Sequence, residues 1–264
     1  SENNSEDEQE IYDVQGVEDT ENEAELQEGE DETTSAFDEP AKNSSGVYQI
    51  ATASNLFWFA EYVNSGNREA SAELTSDIDL ADVKDADNNP LDWTPIGDFA
   101  KSGISTIPPN PFKGKFDGNN HTIKNLKIGS ADQLYKDHNS IGLFSCLYDT
   151  TVKNIKFENV AIHSEKATIG ALAGMTVNST VENVEVKSGT IYTTWTKAQI
   201  GGIVGSSVYK SYSDKTSVCR FIECVNRAEV KGSEKSYNIG GICGNGYGVQ
   251  AENCVNYGNL SGKY

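Results

Sequence analysis

Histidine is scarce in this chain: only His121, His138 and His163 occur, and none are spaced as the helical His-Glu-x-x-His that holds zinc in a metallopeptidase. Neither a Gly-x-Ser-x-Gly elbow nor a Walker loop is present, which removes the usual signatures of a serine hydrolase and of a nucleotide-binding enzyme. The five cysteines are odd in number and follow no metal-ligand spacing. No run approaches the ~18 apolar residues of a membrane-spanning helix. No signal peptide is recognisable, and a chain beginning at Ser1 reads as trimmed or mature. Basic residues are missing from the first forty positions, which hold 17 Asp and Glu and no Lys or Arg. That segment supplies −17 of the total charge of −19, and the remainder is close to neutral with 23 acids against 21 bases. An acidic balance of this kind argues against nucleic acid as a partner.

The acidic segment has few apolar groups to bury, and ordering it would cost roughly 1–2 kcal/mol per residue of backbone entropy with nothing to offset it. Residues 1–45 are therefore expected to be a disordered leader or linker, dispensable for the fold, and residues 46–264 to be one folded unit. What that unit has in abundance is Gly, Asn, Ser, Thr, Tyr, Val and Ile, the composition of a β-repeat.

One glycine phrase is written four times: IGLFSC at 141–146, IGALAG at 169–174, IGGIVG at 200–205 and IGGICG at 239–244. Each is followed by a second phrase, TVKNIKF, TVENVEV, FIECVN and AENCVN in turn, and TIKNLKI at 122–128 precedes them all. Aligning these phrases puts Leu126, Ile155, Val184, Cys224 and Cys254 in one column, at spacings of 29, 29, 40 and 30. A period near thirty, with two or three short β-phrases per unit, indicates a solenoid. In the second phrase apolar residues recur after three positions where a strand alternates with period two, so a corner must intervene. At it stand Asn125, Asn154, Asn183 and Asn253, with Glu223 in the fourth copy. Asn tolerates the left-handed backbone of a tight corner, and stacked amides can bond as a ladder. The glycines serve coil geometry, since no amphipathic helix follows to offer its N-terminus to a phosphate.

Ahead of the repeats, Leu56, Phe59, Ala60 and Val63 follow helical spacing, with Thr52 or Ser54 to start the helix and Gly66 to end it. The next stretch alternates Ala72, Leu74, Ser76, Ile78 and Leu80 against polar residues, as a half-buried strand does. A helix over about 53–65 with this strand is expected to cap the open end of the coils. The chain reaches Tyr264 directly after a repeat, with no polar cap, so further domains of the same chain are expected.

With these phrases in place, the chain resembles the GLUG-motif repeat proteins of bacterial surfaces. The carrying residues are the four glycine phrases, supported by WTPIG (93–97), FKGKFDGNNHTIKNLKI (112–128) and CVN (224–226 and 254–256). The resemblance implies a single-stranded right-handed parallel β-helix of about five to six coils, with GLUG-type repeats over about 112–262. It also implies a secreted or surface-anchored protein, similar to the repeat region attached to immunoglobulin-A1-cleaving metallopeptidases without the peptidase domain. The role of such repeats is adhesive or architectural.

Catalytic and metal-binding chemistry fits these residues less well. A polysaccharide lyase or hydrolase on a β-helix wall would need acids beside a basic side chain, and Lys124, Lys153 and Glu182 (with Lys127, Lys156 and Glu185) align in columns. Columns of exposed pairs, worth ~0–1 kcal/mol each, are the plainer account. Asp85, Asp87 and Asn89 mimic the start of an EF-hand, but Pro90 and Ile96 stand where Gly and Glu are required, so no metal is assigned. Cys224 and Cys254 replace larger apolar residues at the inward position and read as buried free thiols, although adjacent coils come within disulfide range. No catalytic residue and no cofactor is assigned. The candidate ligand site is the surplus segment SSVYKSYSDKTS (206–217), where Tyr209 and Tyr212 can stack on sugar rings beside Lys210, Asp214 and Lys215. The expected partner is a host or microbial glycan or a surface protein.

Overall fold

The computed structural model describes residues 35–97, 110–211, 215–236 and 238–262. Short parallel strands repeat around four walls and stack in register, which makes the chain an all-β parallel solenoid. One circuit runs through Thr151–Glu158, Val160–Ser164, Thr168–Ile169 and Ala173–Val177, then returns to the first wall at Thr180–Val186. Along that wall Thr151 faces Thr180, which faces Arg220, which faces Gln250, so these coils are 29, 40 and 30 residues long. The inward residues, among them Ile155, Val184, Ile162, Ile191 and Ile200, are fully buried in one continuous core.

The first copy departs from the expected alignment. TIKNLKI does not lie over TVKNIKF; Phe116 and Asp117 face Val152 and Lys153, while Ile123 and Lys124 face Phe157 and Glu158. Ile128 faces Ile162, an offset of 34 residues in place of 29. The cause is a second left-handed corner in the coil, at Asn159 (φ 55°), five residues after the one at Asn154 (φ 57°). Either corner is satisfied by Asn followed by an inward apolar residue, so the phrase fits both. Asn125 takes the second: its Nδ2 donates to Asp79 Oδ1 at 2.6 Å, and its Oδ1 accepts from Asn159 Nδ2 at 2.6 Å.

The asparagine column therefore splits in two. At the first corner Asn183 Nδ2 donates to Asn154 Oδ1 at 2.8 Å, and Asn154 Nδ2 donates to Asp117 Oδ1 at 2.9 Å. Burial pushes the Asp117 carboxyl up, but hydrogen bonds from the Asn119 N–H, Asn154 and Lys153 outweigh it and hold the pKa below the usual carboxylate value. Glu223 and Asn253 keep the same corner with φ of 53° and 54°. Valine at position 154 has to adopt a positive φ and removes one hydrogen bond from each of Asn183 and Asp117. Asn154→Val should cost about 1–3 kcal/mol in a denaturant titration. An unchanged midpoint would remove any structural role from this ladder.

The glycine phrases join the third and fourth walls, and the fold there is close. A Cβ on Gly201 would lie 2.0 Å from Val204 O, and one on Gly174 would lie 2.3 Å from Ile141 N. The second glycine of the last two phrases has a separate cause. A Cβ on Gly202 or Gly241 would meet Cγ of Asn226 at 2.3 Å or of Asn256 at 2.2 Å. Asn226 is wholly buried and clips the backbone, accepting from Ala228 N–H and donating to Ala228 O, both at 3.1 Å. It also donates to Asn256 Oδ1 at 2.8 Å. In earlier coils the position of Asn226 is held by Val186 and Phe157, and the position of Gly202 by Ala171 and Leu143.

The N-terminal elements also pack on this core. Helix α1, Ala53–Asn64, starts at Thr52, whose side chain accepts from Asn55 N–H. It buries Leu56, Phe57, Phe59, Ala60 and Val63. Phe59 lies 6.3 Å from Phe112 and 6.2 Å from Phe116, and Phe57 lies 5.0 Å from Trp93. Tyr48–Ile50 pairs with Ala72–Leu74, which pairs with Phe116–Asp117, so this region extends the first wall. Of the expected leader, residues 1–34 lie outside the described residues. Residues 35–45 are ordered against the fold: Phe37 packs 5.1 Å from Phe57, and Asp38 N–H donates to Ser54 Oγ at 2.8 Å. Residues 35–45 therefore pack with the folded part, because one aromatic contact and a paired backbone donor hold the segment. The aspartate-rich stretch forms a turn in which Asp85 Oδ1 accepts from the N–H groups of Asp87 and Asn89, at 2.9 Å each.

Candidate functional site

On the fourth wall, Cys146, Met175 and Val177 form a hydrophobic cluster apart from the main core, and Tyr148 and Val208 pack against it. Leu147 belongs to the main core, while its neighbours Cys146 and Tyr148 belong to this separate cluster. Burial pushes the Cys146 thiol pKa up, which suits it to an apolar floor better than to nucleophilic chemistry. Tyr148, Val177 and Val208 stand in register on adjacent coils. Tyr247 continues the column, one residue past Gly246, which faces Ser207.

The wall strand runs Val204–Val208, so the surplus segment leaves the wall at Tyr209 and not at Ser206. Tyr209 lies 6.5 Å from Tyr247, with ring planes at 52°. Its close approach needs Gly248, where a Cβ would sit 2.4 Å from Tyr209 Cε1. Lys210 N–H donates to Ser217 Oγ at 2.9 Å and closes the base of the loop. Lys210 Nζ pairs with Asp149 Oδ2 at 2.7 Å and lies 5.7 Å from the Tyr148 ring centroid. Lys113 Nζ approaches the same ring at 5.2 Å, and Asp149 Oδ1 accepts from Asn178 Nδ2 at 2.6 Å.

Of the five residues expected at the site, the structure brings Tyr209 and Lys210 to this face. Lys215 sits in the exposed turn of the loop, and Tyr212 and Asp214 lie outside the described residues. Four participants escaped the sequence reading: Tyr148, Tyr247, Lys113 and Asp149. Tyr148 lies seven residues after Ile141 and Tyr247 eight after Ile239, so only the register between coils shows that they share a column. Three rings, two ammonium groups and one carboxylate over an apolar floor suit stacking on a flat ligand face, with polar contacts at its rim. The pair Lys210–Asp149 is about two-thirds buried and orients the lysine more than it stabilises the fold.

The long first wall differs in kind. Its outward charges pair from one coil to the next: Lys153 Nζ with Asp117 at 3.3 Å, Lys187 Nζ with Glu158 at 2.7 Å and Arg227 Nε with Glu185 at 3.1 Å. Lys153 faces Glu182 and Lys156 faces Glu185 as expected. Lys124 and Lys127 do not join them; with the shifted first copy they face Glu158 and Ala161. Among the described residues, no group of three or more His, Cys, Asp or Glu is gathered to hold a metal ion. All five cysteines are free, and contact with Cys254 together with burial raises the Cys224 pKa.

Residues 109–188 match the family described as the M26 IgA1-specific metallo-endopeptidase N-terminal region. The chain is 33% identical over 144 residues to halomucin of Haloquadratum walsbyi, a stretch that is 54% of this chain and 1% of that protein. A crystal structure of a candidate immunoglobulin A1 protease from Bacteroides ovatus aligns with a TM-score of 0.43 at 19% identity, over 86% of this chain and 80% of that one. The repeats are thus similar to those associated with IgA1-cleaving peptidases, and the matched segment lies in the N-terminal region of that family. No helix among the described residues is long and apolar enough to cross a membrane.

Proposed function

We propose that this chain is a non-catalytic, secreted or surface-anchored bacterial repeat module with an adhesive or architectural role. It is a right-handed parallel β-helix of about five to six coils, capped by α1 and its neighbouring strands, and it presents ligand-binding loops at the edge of the fourth wall. The observation that carries the reading is the pattern of charge on the first wall. Lys153–Asp117, Lys187–Glu158 and Arg227–Glu185 each tie one coil to another, which is how a scaffold uses its surface charges. A lyase wall would instead converge its carboxylates on one point beside a lysine. The similarity to a family whose peptidases act on IgA1, met outside the cell, supports export.

The ligand is a glycan or a glycan-bearing protein, held against Tyr209 and Tyr247. A glycan and host-protein array probed with the full chain tests this. Tyr209→Ala and Tyr247→Ala should each weaken a captured ligand about 3–10-fold, the loss of one stacking contact, with little change in melting temperature. Replacing 211–216 by a short Gly-Ser link, which spares Val208 and the Lys210–Asp149 pair, should leave the fold intact. Binding that survives all three changes would place the ligand elsewhere. Cleavage of an acidic polysaccharide by the purified chain would favour the carbohydrate-active enzyme instead.

A further inference from the structure

The other end of the molecule carries a cleft that the binding loops do not explain. It lies between the segment around Lys42–Tyr48 and the end of α1, has a volume of about 370 Å³, and is lined by Lys42, Tyr48, Tyr62, Asn67, Arg68 and Glu69. Two glycines with positive φ, Gly46 at 79° and Gly66 at 117°, turn its two rims, and a Cβ at either would meet open space. The volume is at the small end for ligand pockets and suits a single ring with its substituents.

The walls are aromatic and braced. Tyr62 stacks on Trp58 at 4.8 Å with planes only 13° apart, and its ring meets Tyr48 edge-on at 5.5 Å. Tyr48 is buried to 3% exposure, also packs on Phe59, and so cannot swing away. Lys42 Nζ stands 4.4 Å above the Tyr48 ring centroid. Its hydrogen bond to the Tyr48 hydroxyl raises the lysine pKa, so the ammonium stays charged through the physiological range. The Tyr48 hydroxyl is linked in turn to that of Tyr62, and burial raises the Tyr48 pKa, so this hydroxyl stays protonated.

Two cations, Lys42 and Arg68, and one carboxylate, Glu69, line the cleft, while the chain's excess of negative charge lies in residues 1–40. Tyr62 supplies a partly exposed ring, braced by the nearly buried Tyr48, while Lys42 and Arg68 come from different segments of the lining. An inorganic anion has no use for the rings, and a neutral sugar has no use for the cations. We propose that this cleft binds a carboxylate-bearing pyranose, with the ring against Tyr62 and the carboxylate toward Lys42 and Arg68. The chemistry is shared by hexuronates and by sialic-acid-type sugars. The site stands whether or not the Tyr209 loop binds anything.

Titrating the full chain by calorimetry or ligand-observed NMR with matched pairs tests it: 3′-sialyllactose against lactose, and methyl β-glucuronide against methyl β-glucoside. At least one acidic member should bind about tenfold or more tightly than its neutral partner. Whichever acid binds identifies the source. Lys42→Met and Arg68→Met should each weaken that acid about fivefold or more, added salt should weaken it further, and Lys42→Arg should restore most of the affinity. Tyr209→Ala should have no effect, which separates this cleft from the loop site. Thermal melting of the variants checks that the fold is unchanged. The proposal fails if neither acid binds at millimolar concentration, if the methionine variants bind as the parent does, or if inorganic phosphate competes as well as the sugar acid.

Discussion

Replacing Gly202 by alanine should destabilise the protein by about 3 kcal/mol, at the upper end for overpacking a tight core. The new methyl would sit 2.3 Å from Asn226 Cγ and 2.2 Å from Gly241 O, and neither is the free end of a flexible chain. Asn226 is pinned by two bonds to Ala228 and one to Asn256. For a folded unit of this size the melting temperature should fall by roughly 6–12 °C. The preceding coil shows what would relieve the clash, since it has alanine and valine, Ala171 and Val186, at these two positions. Asn226→Val alone should cost about 2 kcal/mol by leaving the Ala228 backbone groups and the Asn256 amide without their partner. The double variant should be more stable than the sum of the two losses by about 1–2 kcal/mol. If the losses add within about 0.5 kcal/mol, the glycine is not there for the asparagine.

That coupling also marks where reading the sequence reached and where it stopped. The period, the parallel solenoid and the left-handed asparagines were legible because they are properties of one strand and its corner. Periodicity of apolar residues and the φ tolerance of Asn are local, and among the described residues ten of the eleven positive-φ residues other than glycine are Asn or Asp. What was not legible depends on which residues face each other across coils. The phrase around Asn125 fits both corners equally well, so only the pairing of Phe116 with Val152 reveals that it belongs at the second. Gly202 and Asn226 are 24 positions apart, and nothing local connects the extra glycine to the inward amide.

The candidate site divides along the same line. Tyr209 and Lys210 stood out because a length difference between coils exposes an insertion in the sequence itself. Tyr148 is 61 residues from Tyr209, and reaches the site only because three coils bring the ends of their fourth-wall strands into one column. Lys42, Tyr62 and Arg68 carried no signal at all. Their cleft depends on how α1 lies against the first strand, and helical spacing fixes which face of α1 is buried but not what stands beside its exposed end.

Trp93→Ala should have the largest effect of any single change considered, about 3–5 kcal/mol. Trp93 is 1% exposed, and like Phe112 and Phe116 it touches both the N-terminal helix and the first glycine phrase. Its ring meets Phe57 of α1 edge-on at 5.0 Å, and its indole N–H donates to Leu143 O at 3.0 Å. Its backbone N–H also donates to Lys127 O at 2.8 Å, so the main chain is held on the second wall while the ring reaches the core. Truncation leaves a cavity beside Phe57 and removes one of the two hydrogen bonds to Leu143 O, which keeps only the Ile96 N–H at 2.9 Å, and the two costs fall at the same joint. The expected result is a clear loss of thermal stability, with hydrogen exchange rising first in Ala53–Asn64 and Tyr48–Ile50 and only later in Thr180–Val186. Trp93→Phe keeps most of the volume and loses the indole donor, so it should recover roughly half of the stability. If exchange instead rises uniformly along the solenoid, α1 and the coils unfold as one unit, and the helix does not act as a separable cap. If it rises first at the N-terminal end, the cleft lined by Lys42, Tyr62 and Arg68 should lose its ligand before the coils lose their register.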